Sequence, residues 1–325
     1  MNLTNPQALA DAEGYLRRAQ RILAVTHVQP DGDAIGSVMG LALALRALGK
    51  TVVAACQDAP HPRFDYINGV RDMVQASDGE FDLIVSLDAS DLARLGTVFM
   101  PAQHAQIPMV VLDHHVTNTQ FGTVNVVEPS FASSAELVLT LLKRMDLPLT
   151  GDVATALLTG VITDTQAFRT PNTTPDTLAA AMELMRAGAN LTDVMRKSLV
   201  MRSFDSLRWL GAGLIAAQLD GRVAYALLTR KLRKEMGLRD ERGDAGLVGT
   251  LITALEADVA AVFVELSDGK IEIGFRAQPG FDVSQVALEL GGGGHPAAAG
   301  CTIPGPVRDA VNRVLPRLKQ VIREA

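Results

Sequence analysis

The chain has 325 residues, 48% hydrophobic and 4% aromatic, with two cysteines and a formal net charge of −6. That length suits two domains better than one core. The negative balance argues against a protein that coats long nucleic acid through a basic stripe, and so few aromatics argue against broad base-stacking platforms. A small anion held in a local pocket remains compatible with both.

The opening "MNLTNPQALADAEGYLRRAQ" reads as a polar lead-in followed by an amphipathic helix, without the basic-then-apolar order of a secretory signal. No run approaches the roughly 18 uncharged apolar residues of a membrane span. Cys56 and Cys301 are far apart and give no disulfide framework. The expectation is a soluble cytoplasmic protein with no membrane partner. Four short apolar runs come next: "RILAVTH" (21–27), "TVVAAC" (51–56), "FDLIVSLD" (81–88) and "PMVVLDHH" (108–115). Between the first two lies "AIGSVMGLALALRALGK", a helix ending near Gly49. Such alternation predicts βαβ units and a mostly parallel sheet.

From about 133 to 217 the pattern is helical, with Ser133 or Ser134 able to cap the first helix and Gly188 able to end the third. The apolar helix at 133–145 could serve the core or a homodimer. Strand-like runs return at "RVAYALLT" (222–229), "VAAVFVEL" (259–266) and "KIEIGFRA" (270–277), the last two joined by a "SDG" turn. The expected architecture is α/β: a mostly parallel-sheet domain over 1–190, a helical connector over 191–217, and a smaller α/β domain over 218–325.

Acidic and histidine side chains gather where the apolar runs stop. "AVTHVQPDGDAIGS" carries His27, Asp31 and Asp33. "SLDASD" carries Asp88, "DHH" is Asp113, His114 and His115, and Asp164 stands in "GVITDTQAF". Open parallel sheets place their sites at the carboxyl ends of strands, so these residues are expected to share one. Taken singly, an Asp after a strand is usually a turn residue or a cap, as Asp33 could be, and a lone His is usually structural. Taken together, converging carboxylates repel unless a cation neutralises them. Mixed carboxylate and imidazole donors favour Mn²⁺, Fe²⁺ or Zn²⁺ over Ca²⁺, and there are enough for two ions.

Further on, "ELGGGGHPAAAG" sets four glycines before His295. Consecutive glycines expose backbone N–H groups and permit positive φ, so the segment can wrap an anion. A flexible linker is the plain alternative, disfavoured because a small-residue strand follows at once. Arg276 sits in an apolar strand, where it needs either a phosphate or a carboxylate. Arg169 is a weaker anion-binding candidate. The basic run "TRKLRKEMGLRDER" (229–242) reads as a solvated helix and turn.

In order and spacing, "THVQPDGDAIGS", "SLDASD", "DHH" and "GVITDTQAF" resemble the four motifs of the DHH phosphoesterase superfamily. "GGGGHPAAAG" resembles the hallmark of its DHHA1 partner domain. At this length the chain is similar to the stand-alone, NrnA-like nanoRNase and pAp-phosphatase branch. The resemblance implies that His27 and Asp31 hold one Mn²⁺, that Asp33, His114 and Asp164 hold the other, and that Asp88 bridges both. Other divalent ions could substitute. His115 would face the scissile phosphate, and Asp113 would support the histidines. Asp91 matches a motif position but reads as a cap. Arg276, Gly292, Gly293, Gly294 and His295 would bind the substrate nucleotide.

The implied substrates are short RNA oligonucleotides, dinucleotides such as pApA, and pAp. A cyclic-dinucleotide phosphodiesterase and a RecJ-like exonuclease are the alternatives. Two positions depart from the family pattern: Gln166 stands where glycine is common, and Ala277 where serine is common. Both bear on substrate preference rather than on metal ligation.

Overall fold

The computed structural model describes residues 4–238 and 243–324. The chain divides into two compact units, Met1–Met201 and Arg202–Ala325. Residues 191–201 of the expected connector therefore fall in the first unit, and 202–217 in the second. No helix among the described residues is long and apolar enough to cross a membrane.

The first unit runs α1 (Pro6–Arg18), β1 (Arg21–Val25), α2 (Gly32–Ala47), β2 (Thr51–Ala55), β3 (Leu83–Leu87), the short α3 (Pro101–His104), β4 (Met109–Asp113) and β5 (Val124–Val127). It closes with α4 (Ser134–Arg144), α5 (Gly151–Asp164), α6 (Pro175–Arg186) and α7 (Leu191–Met195). The five strands are all parallel, in the order β2-β1-β3-β4-β5. β3 and β4 are buried at every position, which is why they read as near-continuous apolar runs, interrupted only by Ser86 and by Asp113 at the end of β4. β5 went unpredicted because it is a half-exposed edge strand of only four residues. The strand order reverses between β1 and β3, and a sheet of this kind opens its crevice there.

α2 is buried along almost its whole length, as its continuous apolar sequence requires. It crosses α5 antiparallel on small residues. A Cβ on Gly32 would come within 2.4 Å of the Thr163 side chain, and one on Gly36 within 2.4 Å of the Ala156 carbonyl oxygen. Only glycine permits that approach. It brings the start of α2, with Asp31 and Asp33, beside the end of α5, with Asp164. The apolar residues of α4 are taken up in this same core.

The second unit contains α8 (Phe204–Ile215), β6 (Gln218–Asp220), β7 (Val223–Leu228), α9 (Arg230–Glu235), α10 (Leu247–Leu251), β8 (Val259–Glu265) and β9 (Lys270–Ala277). α11 (Ser284–Glu289), β10 (Gly293–His295), β11 (Ala298–Pro304) and α12 (Val307–Glu324) follow. The sheet order is β10-β11-β9-β8-β7-β6, with β7 and β8 the parallel pair. The "SDG" turn forms as expected, Gly269 taking φ +81°. The basic run is not a wholly solvated helix. Arg233 of α9 is buried, its guanidinium 4.4 Å above the Trp209 ring, where a planar cation is held by the π face. Residues 239–242 of that run lie outside the described residues.

Candidate active site

Each of the acidic and histidine residues expected to share a site lies at, or within two residues of, an element end. His27 lies two residues beyond β1, and Asp31 rather than Asp33 caps α2. The Asp31 Oδ1 accepts from the amides of Asp33 (2.9 Å) and Ala34 (3.0 Å). Asp33 is thereby placed in the first turn of α2, 1% exposed. Asp88 follows β3 directly and adopts φ +57°, a left-handed conformation unusual for a residue with a side chain. Asp113 ends β4, with His114 and His115 next, and Asp164 ends α5. Asp91 is a cap, accepting from the Arg94 amide at 3.1 Å.

The two oxygens of Asp88 face different histidines. Oδ2 lies 3.7 Å from His27 Nε2, while Oδ1 lies 3.6 Å from His114 Nε2 and 3.7 Å from His115 Nδ1. Around them, His27 Nε2 is 4.0 Å from Asp31 Oδ1, and His114 Nε2 is 4.0 Å from Asp33 Oδ2 and 3.6 Å from Asp164 Oδ2. These gaps are too long for hydrogen bonds. They suit donors that share a cation at about 2.0–2.2 Å from each.

The imidazole tautomers make the same point. His27 Nδ1 is 2.7 Å from the Val28 carbonyl oxygen and His114 Nδ1 is 3.3 Å from that of Phe131. An Nδ1–H donated to a carbonyl leaves Nε2 with a lone pair, aimed here at carboxylate oxygens. Lone pair against lone pair is repulsive unless a proton or a metal ion lies between. Among the described residues no lysine or arginine pairs with Asp31, Asp33, Asp88 or Asp164. Three donor groups could each hold an ion: His27, Asp31 and Asp88; Asp33, His114 and Asp164; and Asp88, His114 and His115. The chemistry of the donor set therefore fits divalent cations.

The field of the cluster shifts its members apart. Burial, reinforced by Asp88 and Asp164, pushes the Asp33 carboxyl well above the usual range. Burial likewise raises Asp164 to about 7, with His114 opposing and Asp88 adding. Burial would also raise Asp88, but His27, His114 and His115 outweigh it and hold that carboxyl low. Burial alone would lower His115, yet its bond to Asp113 and the nearby Asp88 push it up to about 9.

The supporting roles of two residues, Asn118 and Ser134, were not apparent from the sequence. Asp113, fully buried, accepts from the His114 amide (2.9 Å) and His115 Nδ1 (2.7 Å) on Oδ1, and from Asn118 Nδ2 (2.6 Å) on Oδ2. Asn118 also donates to the Ala89 carbonyl at 3.1 Å, joining the strand ends that carry Asp88 and Asp113. Asp33 accepts from the amides of Ser134 (2.6 Å) and Ala135 (3.0 Å) and from Ser37 Oγ (3.1 Å). The only sequence signals were an asparagine five residues after Asp113 and the second of two serines at a helix start.

In the second unit Arg276 lies half-buried on β9, its Nη1 donating to the Phe275 carbonyl at 2.8 Å. No carboxylate among the described residues forms an ion pair with it. It lines a cavity of about 330 Å³ with Glu272, Gly274 and Thr302. The glycine segment is not a free loop. Gly293–His295 forms β10, an edge strand antiparallel to β11, with Gly293 opposite Gly300 and His295 opposite Ala298. The fold itself needs most of these glycines: Gly291 takes φ +80°, Gly294 takes φ +141°, and a Cβ on Gly292 would come within 2.1 Å of the Gly300 carbonyl. A side chain on Gly293 would meet nothing within 4 Å. His295 is exposed. Arg169 is also exposed, with its Nε on the Gln166 carbonyl at 2.8 Å.

A parallel sheet with Asp and His donors at its switch point, followed by a mixed sheet with a glycine-rich edge hairpin, defines a two-part DHH-type protein. Residues 21–161 match the DHH family, N-terminal domain, and residues 236–324 match the DHHA1 domain. The chain belongs to the DHH family. It is 34% identical to the bifunctional oligoribonuclease and PAP phosphatase NrnA of Thermus thermophilus, over 94% of this chain and 91% of that one. It is 25% identical to the protein of the same name from Mycoplasma pneumoniae, over 97% of each. Among solved structures, an exopolyphosphatase-related protein from Bacteroides fragilis superposes with a TM-score of 0.90 at 25% identity, covering 97% of this chain and 96% of that one.

Proposed function

We propose that this protein is a cytoplasmic phosphoesterase that uses two Mn²⁺ ions, or similar divalent cations, to hydrolyse short oligoribonucleotides such as pApA and to remove the 3′-phosphate of pAp. The observation that carries this reading is the division of the Asp88 carboxylate. One oxygen faces His27 and the other faces His114, so a single side chain joins two donor groups. His27 and Asp31 would complete one ion site; Asp33, His114 and Asp164 would complete the other. Ions bound there supply Lewis acidity, lowering the pKa of a bound water and neutralising charge on a phosphoryl oxygen.

The chain's own groups do the rest. His115 is anchored on Asp113, a partner that favours the protonated ring. In that form it would donate to charge that develops on the phosphoryl oxygens in the transition state. Asp113 fixes that ring and, through the His114 amide, the adjacent backbone. In the second unit, Arg276 and the Gly292, Gly293, Gly294 and His295 hairpin would bind the nucleotide. An arginine with no carboxylate partner among the described residues and a Gly293 position open to close backbone approach support that role. The names of the curated relatives point to the same substrates.

The test is hydrolysis of pApA and of a 5′-labelled RNA length series with added Mn²⁺, beside Asp88→Ala. Rapid loss of dimers to pentamers, slow attack on longer strands and an inactive variant are expected. Equal turnover by the two proteins would remove Asp88 from the chemistry and overturn the proposal.

A further inference from the structure

α4 begins at Ser134, yet the residue that caps it is Ser133, whose Oγ accepts from the Glu136 amide at 3.3 Å. The helix does not need the Ser134 hydroxyl. That group is fully buried and donates to Asp88 Oδ1 at 3.0 Å. The Ser134 amide meanwhile donates to Asp33 Oδ2 at 2.6 Å, and the Ala135 amide to Asp33 Oδ1 at 3.0 Å. First-turn amides have no partner within their own helix and carry partial positive charge, so they suit buried carboxylates. One helix start thus grips a carboxylate from one donor group and the carboxylate shared by both.

A carboxylate turns easily about its last torsion, which has a broad profile rather than sharp wells. For Asp88 that rotation would move both oxygens off their histidines. The Ser134 hydroxyl takes one lone pair of Oδ1 and leaves the other, fixing the plane in which Oδ1 faces His114 and Oδ2 faces His27.

We infer that Ser134 is a positioning residue, whose hydroxyl orients Asp88 and thereby sets the affinity of both cation sites together. The inference rests on the two-cation reading above. Residues that hold metal ligands from behind typically contribute 10–100-fold in metal affinity.

The test titrates chelator-stripped, full-length protein with Mn²⁺ by calorimetry and by the electron paramagnetic resonance of free ion. The wild type should bind two equivalents. Ser134→Ala should weaken both by about 10-fold or more, and Ser134→Thr, which restores a hydroxyl, should recover much of the loss. Ser133→Ala is the control: it should lower the unfolding temperature and leave Mn²⁺ affinity unchanged. If Ser134→Ala does not fold, Ser134→Cys, similar in size and a weak donor, carries the same expectation. Unchanged affinity in Ser134→Ala, or in Ser134→Cys where it stands in for it, overturns the inference, as does equal weakening by Ser133→Ala. A wild type that binds no Mn²⁺ overturns the two-cation reading itself.

Discussion

Gly160 of α5 lies where three parts of the site meet. A Cβ there would fall 2.5 Å from Asp33 Oδ1 and 2.5 Å from the Ala135 Cβ. Ordinary contact needs about 3.5 Å, so Gly160→Ala is about 1 Å short on two sides. Neither neighbour can yield alone. Asp33 is held by Ser37, Ser134 and Ala135, and Ala135 supplies one of those amides. α5 would have to back away from α2, to which it is fitted through Gly36. Such overpacking costs about 1–3 kcal/mol, and losing one bond to the Asp33 carboxylate adds about 1.5–3 kcal/mol. In an unconstrained helix the same change would gain about 1 kcal/mol. The net expectation is a loss of about 1–4 kcal/mol, allowing for partial relaxation. At about 2–4 °C per kcal/mol, the first unit should unfold about 2–16 °C lower. Thermal unfolding by circular dichroism in chelator measures this. Repeating it with Mn²⁺ should show a smaller metal-induced rise in the variant, because Asp33 is displaced. A higher unfolding temperature with an undiminished Mn²⁺ response would refute the described meeting of α2, α5 and Asp33.

Asn118→Ala should leave the fully buried Asp113 without its donor on Oδ2 and loosen His115; kcat on pApA should fall about 10-fold or more with KM little changed, and an unaltered kcat would contradict this support. His104 gives a pH-dependent stability away from the site. Its Nδ1 accepts from the Met100 amide at 3.0 Å, so only the neutral ring fits, and burial lowers its pKa. The unfolded chain, with an imidazole pKa of about 6.5, binds a proton before the folded one does. The contribution is therefore complete above that value and is lost as pH falls from it through the lowered folded pKa. Urea denaturation of wild type and His104→Gln, which carries no titrating group, should show the wild-type advantage shrinking as pH drops from 7.5 to about 5; a constant difference would mean that ring does not titrate as described.

The donor set was legible because two sequence rules coincide. Parallel strands buried on both faces read as near-continuous apolar runs, so the charged or histidine residue that ends each run stands out. His27, Asp88, Asp113 and His114 stand out in this way, and Asp31, Asp33 and Asp164 joined them as acidic residues close behind the first run or at the end of a helix-like one; the resemblance of the four motifs then supplied a role for each. The edge strands β5, β6 and β10 carry no such signature, being short and partly exposed. Ser134 and Asn118 were hidden for a different reason. A serine at a helix start or an asparagine after a histidine pair is most simply a cap or a turn. Their roles exist only through pairings such as Ser134 with Asp88, 46 residues away.

Gln166 shows how far local expectation can be overridden. The resemblance of its motif leads one to expect glycine there, and the backbone at this position is glycine-like and continues so. Gln166, Ala167 and Phe168 take φ of +46°, +59° and +65° in succession. Isolated left-handed residues with a Cβ are disfavoured by about 1–2 kcal/mol each, so this turn has to be imposed by its surroundings. The Ala167 amide donates to the Ile162 carbonyl at 2.8 Å, the Phe168 amide donates to Thr165 Oγ1 at 3.1 Å, and the Phe168 ring packs on the core. The turn follows directly on Asp164, so the bonds that impose it also fix where α5 ends. The glutamine therefore keeps the geometry behind Asp164 while putting an exposed amide side chain two residues beyond it. Glutamine at this position is thus compatible with assembly of the donors.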